Sequence, residues 1–212
     1  MMATYLCPNQ QKQNSETTTV TRLHHVILQT QPRSKLSGYT LFPRLLGRQM
    51  VSEDQTRMVA DCDEVYPGIF IGDERAARNK TYLKQFGITH VVNTAEGSGF
   101  GQVNTGRSYY HGTNIQYLGM NVLDIPQARI SDHFEEAVNF IDFALKNGGK
   151  VLVHCLMGVS RSSTITIAYL MMKKGMNAEE SLRMIRNIRD VRPNAGFLHQ
   201  LVELEAKLKS QQ

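Results

Sequence analysis

One thiol and one guanidinium stand six residues apart in the run VLVHCLMGVSRSST, residues 151–164: Cys155 and Arg161. Between them lie Leu156, Met157, Gly158, Val159 and Ser160, with no acid and no second base. A free cysteine, with a pKa of about 8.5, is only a few per cent thiolate at neutral pH. A helix N-terminus and a nearby cation can lower that value by roughly one to five units. A strand that turns directly into a helix supplies such a terminus, because its backbone N–H groups aim into the turn and bind anions. Arg161 adds a planar fork suited to two phosphate oxygens, and Gly158 permits a tight backbone path. The chemistry this arrangement can do is nucleophilic attack on a bound phosphate. A lone cysteine after an apolar strand is more often a small buried hydrophobe. That reading leaves no reason for an arginine one turn into an otherwise apolar helix.

The surrounding elements support this placement. Lys150–Val153 reads as a buried strand. The helix after Ser160 carries Ile165, Ile167, Ala168, Leu170, Met171 and Met172, apolar nearly all round and so central; Gly175 ends it. Upstream, EVYPGIFIGD gives two strands around a Pro-Gly turn. Lys80–Phe86 is a short helix closed by Gly87, and Ile88–Val92 and Ile115–Leu118 are strands. Ser131 is placed as the cap of a helix with Phe134, Val138, Ile141 and Leu145 on one face. Asn177 with Glu180 forms a capping box, and Asn194 caps the final helix, with Phe197, Leu201, Leu204 and Leu208 inward. Alternating strands and helices predict an α/β fold: a central, mostly parallel twisted sheet flanked by helices on both faces. Ligands of such sheets bind beyond the strands' carboxyl ends, where Cys155 lies.

The formal net charge is +5 over 212 residues, but it is unevenly placed. Residues 1–57 carry seven Lys/Arg against three Asp/Glu, whereas residues 58–212 carry seventeen against sixteen. The folded part lacks the basic excess of a nucleic-acid binder. No run of 18 apolar residues suggests a membrane span. Cys7, Cys62 and Cys155 are odd in number, far apart and without metal-ligand spacing, which fits a reducing setting, cytoplasmic or nuclear, and no metal. Residues 1–57 are expected to be a largely disordered basic tail, with a short docking helix near 39–47, and 58–212 to be the catalytic domain. TRLHHVIL, 21–28, reads as tail or as a peptide that docks on a kinase.

The segment HCLMGVSRS resembles the HCxxGxxR[ST] signature of cysteine-based protein tyrosine phosphatases. AYLMMKKGM, RPNAGFLHQL, VYPGIFIGD and GITHVVNTAEG resemble further segments of the small atypical dual-specificity phosphatases of the VHR type. The resemblance covers roughly residues 58–209. It implies a metal-independent, cofactor-free protein phosphatase acting on phosphotyrosine and phosphoserine/threonine through a phosphocysteine.

The resemblance also assigns roles. Cys155 is the nucleophile, and Arg161 with the loop from Leu156 to Ser160 holds the phosphate. Ser162 helps the thiolate leave, and His154 and Asn194 support the site. Asp124, 31 residues before the cysteine in the irregular NVLDIPQ, corresponds to the family's general acid; Asp132 and Asp142 fall within or beside a helix instead. Arg189 corresponds to an arginine that contacts a second phosphate on the substrate. The loop departs from VHR, with Leu156, Met157 and Val159 where that protein has charged and aromatic residues. Phosphorylated proteins, MAP kinases among them, are the implied partners. A lipid, RNA or carbohydrate phosphatase and a phosphate-binding scaffold are the competing readings. Oligomeric state is not legible in the sequence.

Overall fold

The two short strands around Pro67 and Gly68 form a hairpin: β1 (Cys62–Tyr66) runs antiparallel to β2 (Ile69–Gly72). The computed structural model describes residues 17–33 and 61–211. After β2 come two short helices, α2 (Glu74–Arg78) and α3 (Lys80–Phe86), then β3 (His90–Asn93) and β4 (Gln116–Gly119). Helix α4 (Phe134–Lys146), β5 (Val151–His154) and helices α5 (Arg161–Lys174), α6 (Ala178–Arg186) and α7 (Ala195–Ser210) complete the domain. The strand order is β1-β2-β5-β3-β4, with β2, β5, β3 and β4 parallel. The sheet is therefore mostly parallel, as expected.

Alternation along the strands sends side chains to two separate layers. Ile69, Ile71, Val92, Val151 and Val153 face one core with α4–α7. Phe70, Val91, Tyr117 and Leu152 face the other, with Ala77 of α2 and Leu83 of α3. Helix α5 is buried from Arg161 to Met171. Three of its hydroxyls are satisfied within the preceding turn: Ser163 Oγ donates to the carbonyls of Val159 and Ser160, Thr164 Oγ1 to that of Ser160, and Thr166 Oγ1 to that of Ser162.

Asn177 and Glu180 form the expected capping box, and Asn194 Oδ1 accepts the Phe197 N–H at the start of α7. Ser131 does not cap α4. It lies inside a 3-10 turn, Ile130–His133, that leads into the helix without a side-chain cap. Its N–H instead donates to Gln200 Oε1 of α7.

The tail expectation needs correction at residues 17–33. Val20–Gln29 form helix α1. Its Leu23 and Val26 are buried in the core with residues of α6 and α7, and Val20 and Ile27 pack beside them. Val20, Leu23, Val26 and Ile27 share one helical face, which is why this segment docks. Polar contacts fix it at both ends: Thr18 Oγ1 donates to Glu205, Arg22 pairs with Glu179, and Arg186 Nε donates to the Ile27 carbonyl. The expected helix near 39–47 lies outside the described residues.

Candidate active site

Residues 154–161 connect β5 to α5 and place Cys155 at the carboxyl end of a central parallel strand. The loop turns its amides inward. The Gly158 N–H donates to Cys155 Sγ at 3.2 Å, and the Ser162 hydroxyl lies 3.5 Å from the sulfur. Burial alone would push the Cys155 thiol up. The Arg161 charge, the Ser162 hydroxyl and the amides of Ser162 and Val159 outweigh it, and the thiol is held below its ordinary range. A buried thiol with such neighbours is a nucleophile in waiting.

Amides that point inward leave carbonyls that point outward, and each buried carbonyl requires a donor. Every carbonyl from Cys155 to Ser160 has one. His154 Nδ1 reaches that of Cys155, which places the ring proton on Nδ1. The Glu74 N–H donates to that of Leu156, and Arg189 donates to those of Met157 and Gly158. The Arg192 N–H and Ser163 Oγ take that of Val159, and Ser163 and Thr164 hydroxyls that of Ser160. Gly158 has φ +66°, and a Cβ there would stand 2.6 Å from the Gly72 carbonyl oxygen and 2.7 Å from Arg189 Nη2. Only glycine fits.

Arg161 is buried and anchored by donation from Nη1 to the Val122 carbonyl at 3.0 Å. Its Nε lies 3.5 Å from Asp124 Oδ2 and has no hydrogen-bond acceptor. A buried guanidinium N–H left in this state is a donor ready for an oxyanion. Asp124 Oδ1 accepts from Ser160 Oγ at 2.7 Å and from Asn194 Nδ2 at 2.9 Å, and the Asn194 N–H donates to Ser160 Oγ at 3.2 Å. Capping fixes the orientation of Asn194: with Oδ1 held on the α7 terminus, the amide NH₂ faces Asp124. The other two aspartates are absorbed by local pairs, Asp132 with Arg129 and Asp142 with Lys146. His154 is fully buried, which pushes its imidazole down to about 4, with the Arg78 and Arg161 charges acting in the same direction. It is neutral at physiological pH and orders the loop.

Among the residues expected to bind substrate, Leu156 packs beside Ala95, Val103 and Cys155, so what it could offer an anion is its backbone. Met157 is an exposed side chain on the loop, and Leu123 and Ile125 are exposed on either side of Asp124. Arg189 is a correction. It was expected to face a second phosphate on the substrate, but its side chain is 1% exposed. It lies behind the loop in a bidentate pair with Asp61, at 2.7 and 2.9 Å, and in a further contact with Asp63 at 2.8 Å. Two carboxylates and two carbonyls claim its donors, so it cannot serve substrate as well.

Sequence reasoning did not find Asp61, Asp63 or Gly196. Gly196 opens α7 against the loop that carries Asp124, where a Cβ would run into the Pro126 carbonyl. Among the described residues no group of three or more His, Cys, Asp or Glu side chains could hold a metal ion.

The family model described as "Dual specificity phosphatase, catalytic domain" matches residues 69–207. The chain belongs to the dual-specificity phosphatases. Mouse dual specificity protein phosphatase 13B is 43% identical over 156 residues, covering 73% of this chain and 78% of its own. Human dual specificity protein phosphatase 26 is 41% identical over 148 residues, covering 69% and 68%. The crystal structure of human DUSP28 superposes with a TM-score of 0.61 at 29% identity, covering 70% of this chain and 95% of its own. As a dual-specificity phosphatase, the protein is an enzyme that removes phosphate from protein substrates, and its sheet and flanking helices are that family's fold. It has no helix among the described residues long and apolar enough to cross a membrane.

Proposed function

We propose that Cys155 attacks the phosphorus of a phosphorylated side chain on a protein. The P–O bond to the leaving group breaks as the S–P bond forms. Asp124 donates its proton to the departing oxygen. Water then attacks the phosphocysteine with Asp124 as base, and the thiolate departs with a hydrogen bond from Ser162. Arg161 and the inward amides hold the equatorial oxygens through both steps. The observation that carries this reading is the convergence of the Gly158 N–H, the Ser162 hydroxyl and the Arg161 charge on one buried sulfur. Ser160 and Asn194 support the acid, both bound to Asp124 Oδ1.

The test is hydrolysis of phosphotyrosine, phosphothreonine and phosphoinositide substrates, with chelator present throughout. Release from both phosphopeptides that is lost in Cys155→Ser supports the proposal. Retention of the rate in Cys155→Ser would remove the nucleophile, and preference for the phosphoinositide would move the enzyme to the lipid class.

For substrates we propose MAP kinases within the phosphoprotein class, supported by the VHR-type resemblance. The kinase-docking reading of TRLHHVIL gains no support, because Leu23 and Val26 face this protein's own core. We also place the enzyme in the cytoplasm or nucleus. Cys62 and Cys155 are free cysteines, and a reducing compartment keeps the nucleophile reduced; imaging of the tagged full-length chain tests this.

A further inference from the structure

We propose that Arg189, held by Asp61 and Asp63, is a positioning residue that keeps the phosphate cradle turned inside out. This rests on Cys155 as nucleophile and goes beyond it by assigning the device that orients the loop. Met157 and Gly158 lie in the middle of the loop between β5 and α5, and the donors to their carbonyls come from Arg189. Arg189 Nε takes the Gly158 oxygen at 2.8 Å and Nη2 takes that of Met157 at 3.2 Å. A peptide whose oxygen is gripped from behind presents its N–H to the front. The Met157 carbonyl belongs to the same peptide plane as the Gly158 N–H, which donates to the Cys155 sulfur. Gripping the Gly158 carbonyl likewise aims the Val159 N–H inward.

A guanidinium buried this deeply needs compensation. Asp61 supplies it in a fork-to-fork pair and Asp63 through one oxygen. The α6–α7 connection and β1 are thereby joined under the loop.

Positioning and plain charge make opposite predictions. Removing the Asp61 charge would by field alone ease ionisation of Cys155. If Asp61 instead acts by holding Arg189, its loss lets the loop peptides turn and hinders ionisation. The experiment uses the full-length chain with Arg189→Met, Arg189→Lys, Asp61→Asn and Asp63→Asn. It reads the pH profile of Cys155 alkylation by iodoacetamide, mapped by mass spectrometry, and the inhibition constant of inorganic phosphate.

Positioning predicts that Arg189→Met and Asp61→Asn both move the alkylation midpoint upward, by about one pH unit, which is tenfold in thiolate at a given pH. Phosphate inhibition weakens by a similar factor. Asp63→Asn gives a smaller shift of the same sign, and Arg189→Lys recovers only part, because an ammonium cannot form the fork. A midpoint that falls in Asp61→Asn, or profiles unchanged in both variants, would overturn the proposal. Should Arg189→Met not fold, the sign in Asp61→Asn and Asp63→Asn decides alone. A wild-type Cys155 that titrates as an ordinary thiol would instead refute the nucleophile assignment, so the two failures are distinguishable. Because Arg189 is engaged behind the loop, Arg189→Lys should also leave the ratio of rates on singly and doubly phosphorylated peptides unchanged; loss of a preference for the doubly phosphorylated peptide would return Arg189 to the substrate.

Discussion

Replacing Gly196 by alanine should separate the acid from the nucleophile. Gly196 is the second residue of α7, and its backbone is not in the left-handed region. Alanine is the better helix former, by up to about 1 kcal/mol in a helix interior and less in a first turn. On local grounds the substitution is mildly stabilising. The new Cβ, however, would collide with the Pro126 carbonyl oxygen and stand 2.6 Å from its carbon, where ordinary contact begins at 3.4 Å. Two residues along from Asp124, the loop must retreat by roughly 1 Å, and a displacement of that size in a reacting group can cost on the order of 100-fold in rate. Expected, then, is a fall in kcat of about 30- to 100-fold, with the thermal midpoint changed by only a few degrees. The loss should be larger for phosphoserine than for an aryl phosphate with a stable phenolate leaving group, because the poorer leaving group depends more on the proton. Alkylation of Cys155 should keep its wild-type pH profile. Stopped-flow or steady-state rates on the two substrates check this. Wild-type kcat on phosphoserine would show that the place of Asp124 is not set by its contact with α7.

Asp124→Asn should lower kcat by about 10²- to 10⁴-fold; an unchanged kcat would place the acid elsewhere. Fold-imposed lowering of the Cys155 pKa means the thiolate persists as pH falls below the ordinary thiol range and is lost only at the lower, folded-state value. Iodoacetate should therefore inactivate the enzyme rapidly at neutral pH, and Arg161→Met should move the inactivation profile to higher pH. Leu23→Ala removes a fully buried side chain from α1 and should cost about 2–5 kcal/mol, seen as faster amide exchange across residues 20–29; exchange equal to wild type would show that α1 is not held by that contact.

How much of this was legible in the sequence follows from distance along the chain. Cys155, Gly158, Arg161 and Ser162 fall within one loop and the helix it enters, so their chemistry is written contiguously. Asn177, Glu180 and Asn194 follow local capping rules, and the structure honours them. Ser131 obeyed the same rule on paper, but Gln200 of α7 takes its N–H and the chain enters α4 through a 3-10 turn. Arg189 meets Asp61 across 128 residues, and Gly196 meets Pro126 across 70; no local pattern encodes either contact. Family resemblance was no help with Arg189, because it carried over a role that requires an exposed side chain. Helix α1 was written off by the composition around it, although Val20, Leu23, Val26 and Ile27 already traced one face.

The pairing of Arg189 with Asp61 and Asp63 has a practical corollary for anyone trimming this protein. The match to the catalytic-domain family model starts at residue 69, after both carboxylates and after all of β1. A fragment cut there would bare the hydrogen-bonding edge of β2, a strand of buried Ile69, Phe70 and Ile71, and invite self-association. It would also strand a buried guanidinium without its counter-ions. The outer wall of the Cys155 loop is thus built by residues that a boundary drawn at that match discards, and any preparation intended to be active must begin upstream of Asp61.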